Sequence, residues 1–364
     1  MEIGIIGLPK SGKTTVFNAL TKGKADIGAY TSGEPNIGVV TVPDPRLDGL
    51  EEIFHPKKKT AAEVRYVDVG VPPKGLGKTE GLGGQFFVHM SKADALLHVA
   101  RAFDDERVPH IEGSIDPARD IDILNMELYF SDLSILEKRL QKIEPSLKAA
   151  KPHEREGLSK EQSLLERIKT ALEEDVQIRE QQLTEDEKKI ILGYQFLTAK
   201  PLLLVANIGE ESLPQAGSLE EDWRTRYLRP QVNVAALCGK LEMELAQLED
   251  ADAHEFRSSM GLEEAAPDRM IRLSYELLGL ISFFTFVSDE VKAWSIQRDT
   301  PAIRAAGKIH SDMERGFIRA EVIGYDDLVR YGSIAEGRKK GLVHVEGKTY
   351  IVKDGDVITF LFNV

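Results

Sequence analysis

A chain of 364 residues is longer than one hydrophobic core usually serves, so two or three domains are expected. Its composition is 42% hydrophobic and 29% charged, and no apolar run nears the roughly 20 residues that span a bilayer, so no membrane partner is expected. The net charge of −13 argues against broad binding of a phosphate backbone, and the single cysteine, Cys238, rules out an internal disulfide and fits a reducing cytoplasm. Nothing at the N-terminus reads as a signal peptide. Met1 to Ile6 is short and apolar enough for a buried strand, and Thr15 to Leu20 has helical spacing. Between them lies Gly7-Leu8-Pro9-Lys10-Ser11-Gly12-Lys13-Thr14, the G-x-x-x-x-G-K-[ST] pattern in its required strand–loop–helix context. Gly7 and Gly12 permit backbone angles that turn successive N–H groups toward a phosphate, and the helix start adds its positive dipole end. Lys13 reaches the β/γ oxygens, and the Thr14 hydroxyl suits Mg2+.

Lys22 to Pro35 is rich in Gly, Ser and Thr and reads as a loop. Asn36 to Val42 predicts a strand closed by Pro43 and Pro45, and Arg46 to Phe54 a helix. Lys57-Lys58-Lys59 reads as a solvated turn. Glu63 to Asp68 alternates with strand period and ends on a carboxylate, where a P-loop protein places a second magnesium-holding residue. Val71 to Gly84 is a long Gly/Pro/Lys loop before a helix from Gln85 to Lys92 and a strand at Ala95–Val99. From Ala118 to Lys200 the pattern is helical, with Leu124, Leu128, Leu136, Leu140, Ile143 and Leu147 on one face and Leu165, Ile168 and Leu172 on another. Thr184 to Glu187 forms a capping box for a further helix. Pro201 to Asn207 resumes the sheet, and Val232-Asn233-Val234 ends it. A helix beyond Asp268 runs into Phe283 to Phe286, and Tyr350 to Phe360 around Asp354-Gly355-Asp356 gives a hairpin signal. From Ile281 onward, 12 basic residues balance 12 acidic ones.

The expected fold is an α/β P-loop NTPase, G-domain-like with a mostly parallel sheet, carrying an inserted antiparallel helical hairpin and a C-terminal α+β domain. The expected boundaries are 1–117 with 201–280 for the nucleotide-binding domain, 118–200 for the helical insertion and 281–364 for the last domain.

Several stretches together resemble the YchF/Obg-like ATPase family. They are Gly7 to Leu20; Glu34-Pro35-Asn36-Ile37-Gly38-Val39-Val40 with Pro43-Asp44-Pro45-Arg46-Leu47-Asp48; Lys74-Gly75 with Gly81-Leu82-Gly83; and the C-terminal Ala305 to His310, Gly316 to Val322 and Asp354 to Asp356. The resemblance spans essentially the whole chain and identifies the last domain as similar to a TGS domain. It implies ATP as substrate, Mg2+ as cofactor, a ribosomal partner (the large subunit), RNA contact through the TGS domain, a monomer, and a cytoplasmic location.

The nucleotide preference has a physical argument too. Guanine-reading members of the class use Asn-Lys-x-Asp, whose carboxylate accepts two hydrogen bonds from the base. Here the strand ends in Asn207-Ile208-Gly209-Glu210: the lysine is missing, and Glu210 is a methylene too long for that pair of bonds. Losing a bidentate pair costs on the order of 1–3 kcal/mol of discrimination. The family's Asn-x-x-Glu variant is associated with ATP. The alternative is that Asn207 merely caps a helix. Cys238-Gly239-Lys240 resembles the last base-contacting loop. The resemblance thus assigns nucleotide binding to Pro9, Lys10, Ser11, Gly12, Lys13, Thr14, Thr15, Asn207, Ile208, Glu210, Cys238 and Gly239, and the metal to Thr14, Ser32 and Asp68.

The catalytic group is less plain. Where the family's second switch reads Asp-x-x-Gly-Leu, this chain has Asp68-Val69-Gly70-Val71-Pro72, which lacks both the glycine amide and a water-orienting glutamine. Val108-Pro109-His110-Ile111-Glu112-Gly113 resembles the family loop that carries a catalytic histidine, so Lys13 and His110 are the expected catalytic residues. The competing reading makes His110 a surface histidine. Lys10 stands where many relatives carry an Asn linked to monovalent-cation use, and its ammonium either replaces that cation or points to solvent. Arg338-Lys339-Lys340 with His344 is the basic cluster available to an RNA. Two rivals remain beside a slow ATPase switch acting in translation or stress control: a GTP-specific ribosome-assembly GTPase, and a nucleotide-gated ribosome-binding module with negligible hydrolysis.

Overall fold

The computed structural model describes residues 1–23, 25, 35–70, 82–262 and 264–363, with the side chains of 82–85 excepted. Its strands in chain order are β1 (Glu2–Ile6), β2 (Asn36–Thr41), β3 (Lys58–Thr60), β4 (Glu63–Asp68), β5 (Ala95–Ala102) and β6 (Leu202–Ile208). They continue with β7 (Val232–Leu237), β8 (Leu280–Val287), β9 (Glu290–Gln297), β10 (Phe317–Gly324), β11 (His344–Glu346) and β12 (Asp356–Phe362). The helices of the first two-thirds are α1 (Lys13–Thr21), α2 (Arg46–Phe54), α3 (Leu82–Lys92), α4 (Pro117–Ala149), α5 (Pro152–Glu173) and α6 (Glu185–Leu192). The chain divides into two compact units, residues 1–38 with 65–267, and residues 39–64 with 268–364.

The first unit is built on a sheet of order β2-β4-β1-β5-β6-β7, in which β4, β1, β5, β6 and β7 pair in parallel. β5 and β6 are buried along almost their whole length, as strands covered on both faces must be, which explains their unbroken apolar runs. Parallel order puts the carboxyl ends of β1, β4, β5 and β6 on one edge, where Gly7, Asp68, Arg101 and Asn207 lie.

The helical insertion serves two cores with one stripe. Leu124 and Leu128, near the start of α4, pack with Ile6, Phe86 and Leu96 against the sheet. Leu136 and Ile143, further along the same helix, pack with Leu165 and Ile168 of α5. Asp132, buried between them, accepts the backbone N–H groups of Leu197 (2.9 Å) and Thr198 (2.7 Å) and so ties the middle of α4 to the segment leading into β6. Burial pushes its carboxyl up to about 6 despite those bonds. Thr184 and Glu187 form the expected capping box at α6.

The second unit departs from expectation at three points. First, residues 39–64, assigned from the sequence to the nucleotide-binding domain, pack with the C-terminal residues, and the helix Ala266–Leu277 enters that unit from Asp268 on rather than at Ile281. Second, Lys57-Lys58-Lys59 is not a turn: Lys58–Thr60 is β3, parallel to β9 at the edge of a sheet of order β11-β10-β12-β8-β9-β3. The lysines are matched one by one, Lys57 to Asp289 (2.8 Å), Lys58 to Glu290 (3.0 Å), and Lys59 to Asp48 (2.6 Å) and Glu51. Third, the residues around Asp354-Gly355-Asp356 do not form a hairpin. Ile351 bridges to Pro301, while β12 pairs antiparallel with β10 and parallel with β8.

The contacts that hold 39–64 in this unit are specific. Phe54 stacks on Phe286 with ring centroids 4.3 Å apart. Arg46 grips Asp44 through Nε and Nη2 (2.8 Å each) and reaches Asp354 through Nη1 (2.9 Å). Burial works against the Arg46 charge, but the two carboxylates outweigh it and raise its pKa above the ordinary value. Asp44 is nearly buried, so Arg46→Ala strands a carboxylate and is expected to cost about 1–3 kcal/mol of this unit's stability. Urea denaturation followed by the fluorescence of Trp294 checks this; a change below about 0.5 kcal/mol contradicts it.

Candidate nucleotide-binding site

The loop between β1 and α1 has the backbone its sequence requires. Gly12 precedes α1 at φ 91°, a left-handed conformation, and an added Cβ there would drive into the Asn207 side chain. Lys10, a non-glycine residue, is also left-handed at φ 66°. The side chain of Lys13 is buried and folds back over the loop, donating to the carbonyls of Gly7 (3.1 Å) and Leu8 (3.0 Å). Burial is the main effect on its ammonium and lowers its pKa to about 8, with the charge of Asp68 opposing. A polyphosphate would restore the missing counter-charge.

Thr14 Oγ1 donates to Asp68 Oδ2 at 2.9 Å, and both side chains are buried. The strand-end carboxylate and the first-turn hydroxyl thus meet, although 54 residues separate them in the chain. Hard oxygen donors of this kind fit a magnesium ion that takes its remaining ligands from phosphates and water. Ser32, the third expected metal ligand, lies outside the described residues, as do Lys74, Gly75, Gly81, Val71 and Pro72. His98 of β5 is buried near this cluster. Burial, then the charges of Lys13 and Arg179, lower its pKa to about 3, so it sits there as a neutral imidazole.

Asn207 does cap a helix, that of Gly239–Leu245 which follows β7, but its side chain does more than that. Its Nδ2 donates to the Ser11 carbonyl (3.0 Å) and its Oδ1 accepts from the N–H of Gly239 (3.0 Å), the first residue of that helix, so it braces the phosphate loop against the helix start after β7. Ile208 turns its side chain into the core with Ala100 and Trp223, leaving only its backbone to face a ligand. Glu210 is half exposed and pairs with Lys240 at 2.9 Å. Cys238 is buried, and burial pushes its thiol pKa up, as expected of a structural rather than a reactive cysteine. Pro9 and Thr15 are partly exposed on the loop and helix start, and Ser11 is buried within the loop.

One aromatic escaped the sequence reading. The ring of Phe103, just past β5, comes within 3.8 Å of where a Cβ on Gly12 would stand, and Arg101 packs over that ring at 4.5 Å from its centroid. The only signal was its position, directly after a parallel strand and four residues beyond the run Ala95–Val99.

His110 is not a free surface histidine. Its side chain is 4% exposed, and Nε2 lies 2.7 Å from Asp120 Oδ2. The Glu112 N–H (3.0 Å) and Arg119 Nη2 (3.5 Å) face Nδ1, so this hydrogen-bond pattern assigns the proton to Nε2. Lys10 is exposed, and its Nζ donates to the carbonyl of Pro109 at 3.3 Å, which connects the phosphate loop to the histidine's own segment. In the C-terminal unit, Arg338 pairs with Glu321 and Lys339 with Glu336, so two of the three cations of that cluster are already matched.

Comparison with known proteins agrees with this geometry. A model described as a 50S ribosome-binding GTPase matches residues 2–129, and the model YchF-GTPase_C, described as a protein of unknown function, matches residues 280–363. The Ribosome-binding ATPase YchF of Bacillus subtilis (strain 168) is 40% identical over 368 residues, covering 100% of both chains. That of Haemophilus ducreyi is 41% identical over 367 residues, covering 100% of this chain and 99% of its own. Among solved structures, the YchF GTPase of Schizosaccharomyces pombe superposes with a TM-score of 0.85 at 30% identity, covering 99% of this chain and 97% of that one. A phosphate loop, a Thr14–Asp68 pair, a helical insertion and a distinct C-terminal unit, matched end to end at this identity, make the chain a member of the YchF family.

Proposed function

We propose that the chain binds ATP with Mg2+ and hydrolyses it slowly, as a cytoplasmic switch on the ribosome in translation or stress control. The observation that carries this reading is the meeting of Lys13, Thr14 and Asp68 around a left-handed glycine loop. Lys13 would exchange the Gly7 and Leu8 carbonyls for β/γ oxygens. Thr14 and Asp68 would hold the magnesium, which neutralises charge developing on the phosphates. The ribosome enters from the printed names of the relatives, and the large subunit from the description matched by residues 2–129. RNA contact through the C-terminal unit and a monomeric state complete the proposal.

Adenine preference is supported by Glu210, whose carboxylate is paired with Lys240 rather than presented for a guanine edge. His110 supplies the group that takes the proton from water. Nδ1 is its only basic nitrogen here, and the turn must release the Glu112 N–H before a water can use it. Steady-state turnover and ATP titration of His110→Ala test this: the account expects kcat to fall roughly tenfold or more with Kd held within about twofold. Unchanged turnover would favour the reading in which the protein binds nucleotide and hydrolyses next to none.

A further inference from the structure

We propose that Asp120 is a positioning residue for His110, the two forming a carboxylate–imidazole pair that selects the ring tautomer and receives the charge formed when the ring takes a proton. The inference rests on the reading of His110 as the proton acceptor. Asp120 lies in the first turn of α4, whose N-cap is Asp116, and is buried. Its two oxygens are divided between two partners. Oδ2 faces His110 Nε2 at 2.7 Å, and Oδ1 accepts from Arg119 Nη2 (2.8 Å) and Nε (3.2 Å). Arg119 is itself anchored on the Ser114 carbonyl (2.7 Å) and hydroxyl (3.0 Å), so the carboxylate cannot swing without breaking a fork of hydrogen bonds.

This arrangement decides which nitrogen works. A carboxylate held against Nε2 keeps the proton there and leaves the lone pair on Nδ1. When Nδ1 takes a proton from the attacking water, the Nδ1–H bond forms and the water O–H bond breaks. The electron pair of that O–H bond goes to the new bond to the γ-phosphorus, while the bond from that phosphorus to the β,γ-bridging oxygen breaks and its electron pair leaves on the β-phosphate of ADP. The imidazolium then sits 2.7 Å from Asp120, while Arg119 keeps the carboxylate from being left over-charged. The charged groups facing the ring are Asp120 and Arg119 of α4, with Lys10 of the phosphate loop on the neighbouring Pro109 carbonyl. Nothing in the spacing of His110 and Asp120 declares the pair; it arises because residues 110–113 turn back on themselves, with the Gly113 N–H on the His110 carbonyl, before α4 begins.

The test compares Asp120→Asn, His110→Ala and the double variant in ATP turnover, with ATP Kd measured for each, and reads the His110 tautomer by nitrogen-15 NMR in the wild type. The expected result is a tenfold or greater loss of kcat in Asp120→Asn with Kd within twofold, a double variant no slower than His110→Ala, and the Nε2–H tautomer in the unsubstituted protein. A loss in His110→Ala with none in Asp120→Asn overturns the role of Asp120 and leaves His110 as the base. No loss in His110→Ala overturns both. Should Asp120→Asn fail to fold, the wild-type spectrum still decides, since an Nδ1–H tautomer overturns the proposal.

Discussion

Lys13→Met is expected to lose ATP affinity by roughly a hundredfold, about 2.7 kcal/mol, since it removes charge-assisted hydrogen bonds to phosphate worth about 1.5–3 kcal/mol each. The same change should leave the nucleotide-free protein at least as stable as the wild type, because Lys13 is a buried cation whose pKa has fallen to about 8. An unfolded lysine titrates near 10.4, so between those values the unfolded chain binds more protons than the folded one. Folding stability therefore rises with pH from about 8 toward 10.4 and is lost again as pH falls back through 8. The methionine variant should lack that rise. Phosphates favour the charged ammonium, so ATP affinity of the wild type should weaken as pH climbs past 8. Calorimetric titration at pH 7 and 9 with denaturation at both values checks all three; pH-independent affinity would contradict the burial of Lys13.

Asn207→Ala carries the second large effect. It strands the Ser11 carbonyl and the Gly239 N–H, both buried, and should cost about 2–4 kcal/mol of stability. Nucleotide affinity should fall too, because the phosphate loop loses its brace. Asn207→Asp separates this account from simple loss of volume: it keeps the acceptor for Gly239 but sets a carboxylate against the Ser11 carbonyl. It should therefore be no more stable than the alanine variant. Thermal denaturation with and without ATP measures both; an aspartate variant near wild-type stability would contradict the clamp.

The parts of the fold that were legible in the sequence are those where a local pattern needs one structure. Gly12 before Lys13 and Thr14, and the capping box at Thr184, state their conformation within a few residues. What was not legible depends on which partner a pattern meets. The stripe on α4 shows an apolar face but not that Leu124 packs on the sheet and Ile143 on α5. Lys57 to Lys59 lack the alternation of a strand, and only Asp289, Glu290, Asp48 and Glu51, distant or on another element, make β3 intelligible. At the site, Lys13, Thr14 and Asp68 follow from motif chemistry. The bracing role of Asn207 and the pairing of His110 with Asp120 depend on loop paths that no spacing encodes.

The central claim is that this phosphate loop serves adenine and that Glu210, held by Lys240, gives guanine no advantage. Equilibrium titration of the full chain with fluorescent ATP and GTP, each with Mg2+, tests it most directly. The account predicts ATP binding at least as tight as GTP and hydrolysed in the same preparation. GTP bound roughly tenfold more tightly, a difference of about 1.4 kcal/mol, would contradict it.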